Sequence, residues 1–178
     1  MIEYHNKEWG TPLHDDAKLF EFLVLDAFQA GLSWKTILHR REHFRKAFDE
    51  FNPEKICRYK DKKIQALLND PGIIRNRLKV LGTIKNASSF LEIQEHYGSF
   101  DGYIWQFTEG KPLQHAFSLP HEIPATSAQS DAMSKDLRKR GFTFVGSTIC
   151  YAFMQAAGMV NDHLTGCFRY RECANHAG

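Results

Sequence analysis

The sequence predicts an all-α fold, and three observations carry that prediction. Apolar residues recur at spacings of three and four along nearly the whole chain, the repeat of one helix face. No segment sustains the period-two alternation with β-branched enrichment that a sheet needs. Residues that start and stop helices stand at the ends of the periodic stretches. With 178 residues, 43% of them apolar, and 14 Phe and 3 Trp for an interior, the chain suffices for one domain or two small lobes sharing a core.

Asp15 and Asp16 cap and charge the start of a first long helix, AKLFEFLVLDAFQA, and Gly31 lies just past its end, where a left-handed backbone costs glycine nothing. Ser33 caps a second, WKTILHRREHFRKAF, so the tight turn AGLS joins the two. Asn52 with Pro53 at the first helical position starts a short third helix, and Asp61 caps a fourth, KKIQALLN. NDPG then forces a turn between this helix and the next, IIRNRLKVLGTIKNASSFLEI, giving helix, hairpin, helix. Such a hairpin is either an ordinary αα-connection or a phosphate-binding device that aims backbone N–H groups and a helix N-terminus at DNA, with Arg75, Arg77 and Lys79 adding charge. FDGYIWQF is a short aromatic helix. The stretch TEGKPLQHAFSLPHEIPATS holds 3 of the 6 prolines and is expected to be a surface loop between lobes. Helix resumes in AQSDAMSKDLRKR, stops at Gly141 and restarts in STICYAFMQAAGMV.

Lys and Arg total 23 against 21 Asp and Glu, so net charge announces no nucleic-acid partner. The clusters HRREHFRK and KDLRKR are either local basic patches or solvated helix faces. No apolar run reaches the roughly eighteen residues of a membrane span, and MIEYHNKEWG has no signal-peptide pattern, so a cytoplasmic protein with no membrane partner is expected. Four sparse cysteines do not suggest a disulfide framework; Cys57 and Cys150 sit among apolar neighbours as packing residues.

Two features break the pattern of a simple helical core. Leu19, Leu23, Asp26 and Ala30 share one stripe of a helix that is apolar on nearly every side. A buried ionised carboxylate costs several kcal/mol unless it is paired. Asp26 therefore serves either a helix-end or interlobe hydrogen bond or an active site, beside the small tip QAGLSW and Trp34. Near the other end, HLTGC sets His163 and Cys167 four positions apart, close enough to share one metal ion if further ligands come from elsewhere.

Taken together, YHNKEWG, QAGLSW, GIIRNRLK, TSAQSDAMSKDLRKRGFTFVG, STICYAFMQAAG and VNDHLTGC resemble the type I 3-methyladenine DNA glycosylases of bacteria, in order and over nearly the whole chain. The resemblance implies a helix-hairpin-helix glycosylase fold with a base-binding cleft between two lobes, one at about 35–110 and one formed by both termini, about 1–34 and 111–178. It implies a monofunctional, monomeric base-excision repair enzyme that acts on double-stranded alkylated DNA and yields free 3-methyladenine. The alternative is a non-catalytic or retargeted DNA-binding relative.

By the same resemblance, Asp26 is the catalytic carboxylate. It stands where the family usually has glutamate, and its reach is shorter by roughly 1.5 Å, about half a hydrogen-bond length. Tyr4, Trp34, Gln29 and Thr148 would contact the base. Gly31 and Leu32 would fill the gap it leaves in the duplex, and Gly72, Ile73, Ile74, Arg75, Arg77 and Lys139, with Lys135 and Arg140, would hold the backbone. A structural zinc would be held by His5, His163 and Cys167. The family's fourth ligand and one pocket tryptophan lie in a segment ahead of YH, and this sequence begins only four residues before His5. Cys173 is one possible fourth ligand; water, or an empty site, are the others. Neither an aspartate at a matching position after the hairpin nor a Schiff-base lysine is present, so hydrolysis without strand cleavage is expected.

Overall fold

The computed structural model describes residues 1–174, which form eleven α-helices, three short 3-10 turns and two two-residue strands. The helices are α1 (Ile2–Lys7), α2 (Asp16–Gln29), α3 (Trp34–Leu38), α4 (Arg41–Ala47), α5 (Pro53–Ile56), α6 (Asp61–Asn69), α7 (Arg77–Tyr97), α8 (Phe100–Ile104), α9 (Ala128–Lys139), α10 (Ser147–Ala156) and α11 (Phe168–Ala174). One continuous apolar core runs from Tyr4 to Val160.

Helix α2 is the central rod, with every residue from Leu19 to Phe28 buried. Asp15 caps it, accepting from the Lys18 amide at 2.9 Å. Asp16 does something different: its carboxylate accepts from the Phe100 and Asp101 amides, both at 2.8 Å, and so caps α8 across the fold. The one charged residue besides Asp26 on the buried stretch, Glu21, accepts from Arg41 Nε at 2.5 Å and Arg45 Nε at 2.9 Å, which pins α4 to the rod. Ser33 and Asn52 cap α3 and α5 as expected.

Four expectations about elements change. The helix expected from Trp34 onward breaks at His39 and Arg40 into α3 and α4; the Arg40 side chain turns instead to the Pro71 carbonyl, 2.7 Å away. Helix α6 begins at Asp61 itself, with Lys60 as its cap and no side-chain capping bond. The loop after the aromatic helix is not wholly irregular. It contains β1 (Leu113–Gln114), which pairs in parallel with β2 (Val160–Asn161) beyond α10. Two residues are too few to show alternation, which is why these strands leave no periodic trace. Helices α1 and α11 were not anticipated, because each is too short for its pattern to separate from loop.

The N-terminal segment is locked against the end of α10. Gly10 N–H donates to the Gln155 carbonyl at 3.0 Å and Leu13 N–H to that of Ala157 at 3.0 Å. Gly158, at φ +66°, lets Thr11 and Pro12 pass so closely that a Cβ would lie 2.3 Å from Thr11 C. Among the described residues, no helix is long and apolar enough to cross a membrane.

Candidate functional site

Where α1, α2, α3 and α10 converge, Tyr4, Trp9, Asp26, Gln29, Trp34, Ala152, Gln155 and Ala156 enclose a hollow of about 160 Å³. A cavity of about 150 Å³ accepts a benzene ring, so this one is sized for a flat aromatic group that projects toward its mouth. Tyr4 and Trp34 form adjoining walls, ring centroids 5.4 Å apart and planes inclined by 49°. Asp26 is only 2% exposed. Its Oδ2 is buried without a hydrogen-bond partner among the described residues, and so is Trp34 Nε1. Native proteins rarely leave such atoms unpaired, and the two share one hollow. Burial pushes the Asp26 carboxyl well above the usual carboxylate range. It also raises the Tyr4 phenol, with the Asp26 charge adding to the effect.

Of the base-contacting residues expected, Tyr4, Gln29 and Trp34 come together around Asp26. Thr148 does not. It is exposed, one turn of α10 before Ala152, and the wall is built by Ala152, Gln155 and Ala156 instead. Small residues four apart on one helix face were the available signal for that wall. Trp9, also unassigned from the sequence, lines this hollow too.

The tip between α2 and α3 is held from behind. Lys79 was expected to add charge to a DNA-facing surface, but it is buried, its Nζ donating to the carbonyls of Phe28 at 2.8 Å and Ala30 at 2.6 Å. A cation on the last carbonyls of a helix satisfies acceptors that have no partner of their own and offsets the negative end of the dipole. Gly31, at φ +79°, and Leu32, 41% exposed, project beyond it.

The hairpin presents fewer free groups than its sequence suggests. The Gly72 amide already donates to Asp70 Oδ1 at 2.7 Å, and the Ile73 side chain is 2% exposed, packed in the core. The amides of Ile73, Ile74 and Arg75 donate to nothing among the described residues. Asn76 caps α7, and Arg75 and Arg77 are exposed. Lys135 and Lys139 are also exposed. Arg140 is committed elsewhere, to Asp136 at 2.7 Å and the Tyr97 hydroxyl at 2.6 Å, over the faces of Tyr97 and Tyr103.

The second cluster joins the chain's two ends. His5, His163 and Cys167 direct their ligand atoms to one point, all within 4.8 Å of one another. Cys167 Sγ lies 3.7 Å from His5 Nε2 and 3.8 Å from His163 Nδ1. A zinc tetrahedron with ordinary bond lengths has S···N edges of about 3.6 Å, so the donors fit such an ion. The opposite ring nitrogens are occupied: His163 Nε2 donates to the Trp9 carbonyl at 3.0 Å, and His5 Nδ1 to Asn6 Oδ1 at 2.9 Å. These bonds leave the inward nitrogens as lone-pair donors. Burial lowers the His163 pKa to about 4, which keeps the ring neutral. Cys173 is not part of this group. Its buried sulfur lies near Gly10. Trp9 lines both the metal cluster's hollow and that of Asp26.

Comparison with known proteins gives a family and close structural neighbours. A profile of the methyladenine glycosylase family matches residues 1–170. The chain is 45% identical over 169 residues to DNA-3-methyladenine glycosylase 1 of Escherichia coli (strain K12), covering 95% of this chain and 90% of that protein. It is 44% identical over 166 residues to DNA-3-methyladenine glycosylase of Haemophilus influenzae, covering 93% and 90%. A crystal structure of 3-methyladenine DNA glycosylase I superposes with a TM-score of 0.92 at 46% identity over 94% of this chain and 92% of that one. The Staphylococcus aureus structure that describes 3-methyladenine recognition gives 0.91 at 35% identity, covering 94% and 89%.

Proposed function

The chain belongs to the methyladenine glycosylase family, and on that premise we infer that it hydrolyses the N-glycosidic bond of 3-methyladenine in alkylated DNA, releasing the free base. The observation that carries this reading is the hollow at Asp26, with a buried acceptor and a buried donor that the protein itself leaves unpaired.

A base stacked in a duplex is out of reach of any catalytic group, so the nucleotide rotates out at a cost of a few kcal/mol. Leu32 at the exposed tip fills the gap, and the Lys79 ammonium behind it holds the tip in place. Methylation at N3 leaves the base cationic in the nucleotide. Tyr4 and Trp34 offer it ring faces, and Asp26 offers a charge. In the free protein, burial disfavours that charge; an entering cation reverses the balance, because an opposite charge favours ionisation. Unmodified adenine is neutral and brings no such compensation. The N9–C1′ bond then breaks with its electron pair passing to the base, which neutralises its own charge, while water adds at C1′ and loses a proton. Asp26 acts by binding and orienting the base and by electrostatic stabilisation. Among the described residues no lysine lines the hollow, so no Schiff base forms and the strand stays intact.

Backbone contacts fall to the free amides of Ile73 to Arg75, to Arg75 and Arg77, and to Lys135 and Lys139. The reading is of a monomer acting on double-stranded DNA in the cytoplasm. Zinc would be held by His5 Nε2, His163 Nδ1 and Cys167 Sγ, where it supplies a cross-link between the two ends of the chain. Its role is structural.

Methylated duplex DNA incubated with the purified protein is expected to yield free 3-methyladenine by chromatography. A folded protein that leaves all of it in the DNA refutes the reading and favours a DNA-binding relative without excision.

A further inference from the structure

Gln155 lines the hollow beside Asp26, and chemistry dictates how its carboxamide is turned. Nε2 donates to Asp162 Oδ2 at 2.8 Å. An ionised carboxylate only accepts, so the amide cannot be reversed without placing two acceptors together. Asp162 has no freedom to move aside. Its side chain is 0% exposed, the Tyr151 hydroxyl donates to the same oxygen at 2.8 Å, and His115 Nδ1 lies 2.6 Å from the other. With Nε2 committed, Oε1 remains as an acceptor, and no donor among the described residues meets it. Gln155 lines the same hollow as Asp26 and Trp34, so its uncommitted Oε1, the Asp26 carboxyl and the buried donor Trp34 Nε1 border one space.

We propose that Gln155 is a specificity-determining residue whose Oε1 accepts a hydrogen bond from the exocyclic amine of the flipped base, selecting a 6-aminopurine over a 6-oxopurine. The proposal rests on the glycosylase reading above. An adenine-type base carries two N–H bonds at that position, one for each acceptor. A guanine-type base carries an oxygen there, which faces two acceptors with no proton to share. Sites built to hydrogen-bond a substrate group discriminate strongly against analogues that lack it, since the protein's own polar atoms are then left unpaired. Gln155 thereby adds to Asp26 in separating 3-methyladenine from 3-methylguanine.

The test compares kcat/KM for release of the two methylated bases from duplex DNA by wild type and by Gln155→Met, which keeps length and volume but removes the acceptor. Release of 3-methyladenine is expected to fall about tenfold, the worth of one buried hydrogen bond, with 3-methylguanine release unchanged or raised. Discrimination then narrows about tenfold. A parallel fall in both activities, or no change in their ratio, overturns the proposal. A second measurement needs no variant: in protein labelled with ¹⁵N-glutamine, free 3-methyladenine is expected to shift the Gln155 side-chain amide resonance, and 3-methylguanine at equal concentration to leave it in place. Equal responses, or none, also overturn it. Wild-type protein that releases neither base refutes the glycosylase reading, while the resonance still decides the role of Gln155.

Discussion

Replacing Asp26 by asparagine exchanges a titratable group for a neutral one of the same shape, and it is expected to move stability and activity in opposite directions. Asp26 is 2% exposed, makes no hydrogen bond through Oδ2, and has its carboxyl raised above the usual range by burial. A group with a raised folded-state carboxyl pKa binds its proton more tightly folded than unfolded. Stability is therefore lost as pH rises from the ordinary carboxylate value, about 3.9, through the raised one. Below about pH 4 both proteins carry a neutral side chain and are expected to melt together. Toward pH 8 the variant is expected to be more stable, by about 1.4 kcal/mol for each pH unit that separates the ordinary carboxylate value from the raised one, because the amide has no proton to lose. That corresponds to about 2–4 °C in Tm per kcal/mol for a chain of this length. Base release by the variant is expected to fall by roughly a hundredfold or more, the order seen when one preorganised electrostatic group is removed. Free 3-methyladenine at a hundredfold excess over its Kd would restore about 2.7 kcal/mol to the wild type and little to the variant. Thermal unfolding from pH 4 to 8, with and without the base, reads all of this. A difference in Tm that does not change with pH, or a variant that releases 3-methyladenine at the wild-type rate, refutes the reasoning.

The other expectations concern the supports of the hollow. Cys167→Ser is expected to abolish stoichiometric zinc in metal analysis and to lower Tm, while base release per folded molecule holds near the wild-type value at 20 °C; lost release with undiminished folding would make the metal catalytic. Lys79→Met removes a cation from the Phe28 and Ala30 carbonyls and is expected to cost about 2–3 kcal/mol by denaturant unfolding, with kcat on duplex DNA falling more than affinity for the free base. Arg75→Ala and Arg77→Ala are each expected to weaken DNA binding uniformly across sequences and to reduce the slope of log K against log salt by about one. An Arg140→Ala variant serves as contrast: its guanidinium is held by Asp136 and Tyr97, so stability is expected to fall while the salt slope stays unchanged.

What the residues revealed before any coordinates depended on how local the deciding physics is. Caps at Asp15, Ser33 and Asn52 act within one turn of the backbone, and each stands where its side chain was expected to accept an amide. The break between α3 and α4 was not visible, because continuing apolar periodicity carries no mark where a side chain such as Arg40 finds a better partner in another segment. The convergence of Tyr4, Gln29 and Trp34 on Asp26 followed from blocks shared with a known family, not from spacing. Lys79 and Arg140 looked like surface charges in the same stretches as Arg75 and Lys139; nothing in composition separates a basic side chain that faces a helix end from one that faces water.

By itself, the sequence determined an all-α fold and a buried carboxylate at Asp26 in a rod of apolar residues; the resemblance added His5, His163 and Cys167 as candidate metal ligands, which the fold brings together. Tertiary structure alone decided that Ala152, Gln155 and Ala156 rather than Thr148 close the hollow, that Cys173 stays outside the group of His5, His163 and Cys167, and that the Gly72 amide is already bonded. Helical periodicity gives the angle of a residue around its own axis. What stands opposite at that angle is set by how helices pack, through contacts such as that of His163 with Trp9 across 154 positions of chain.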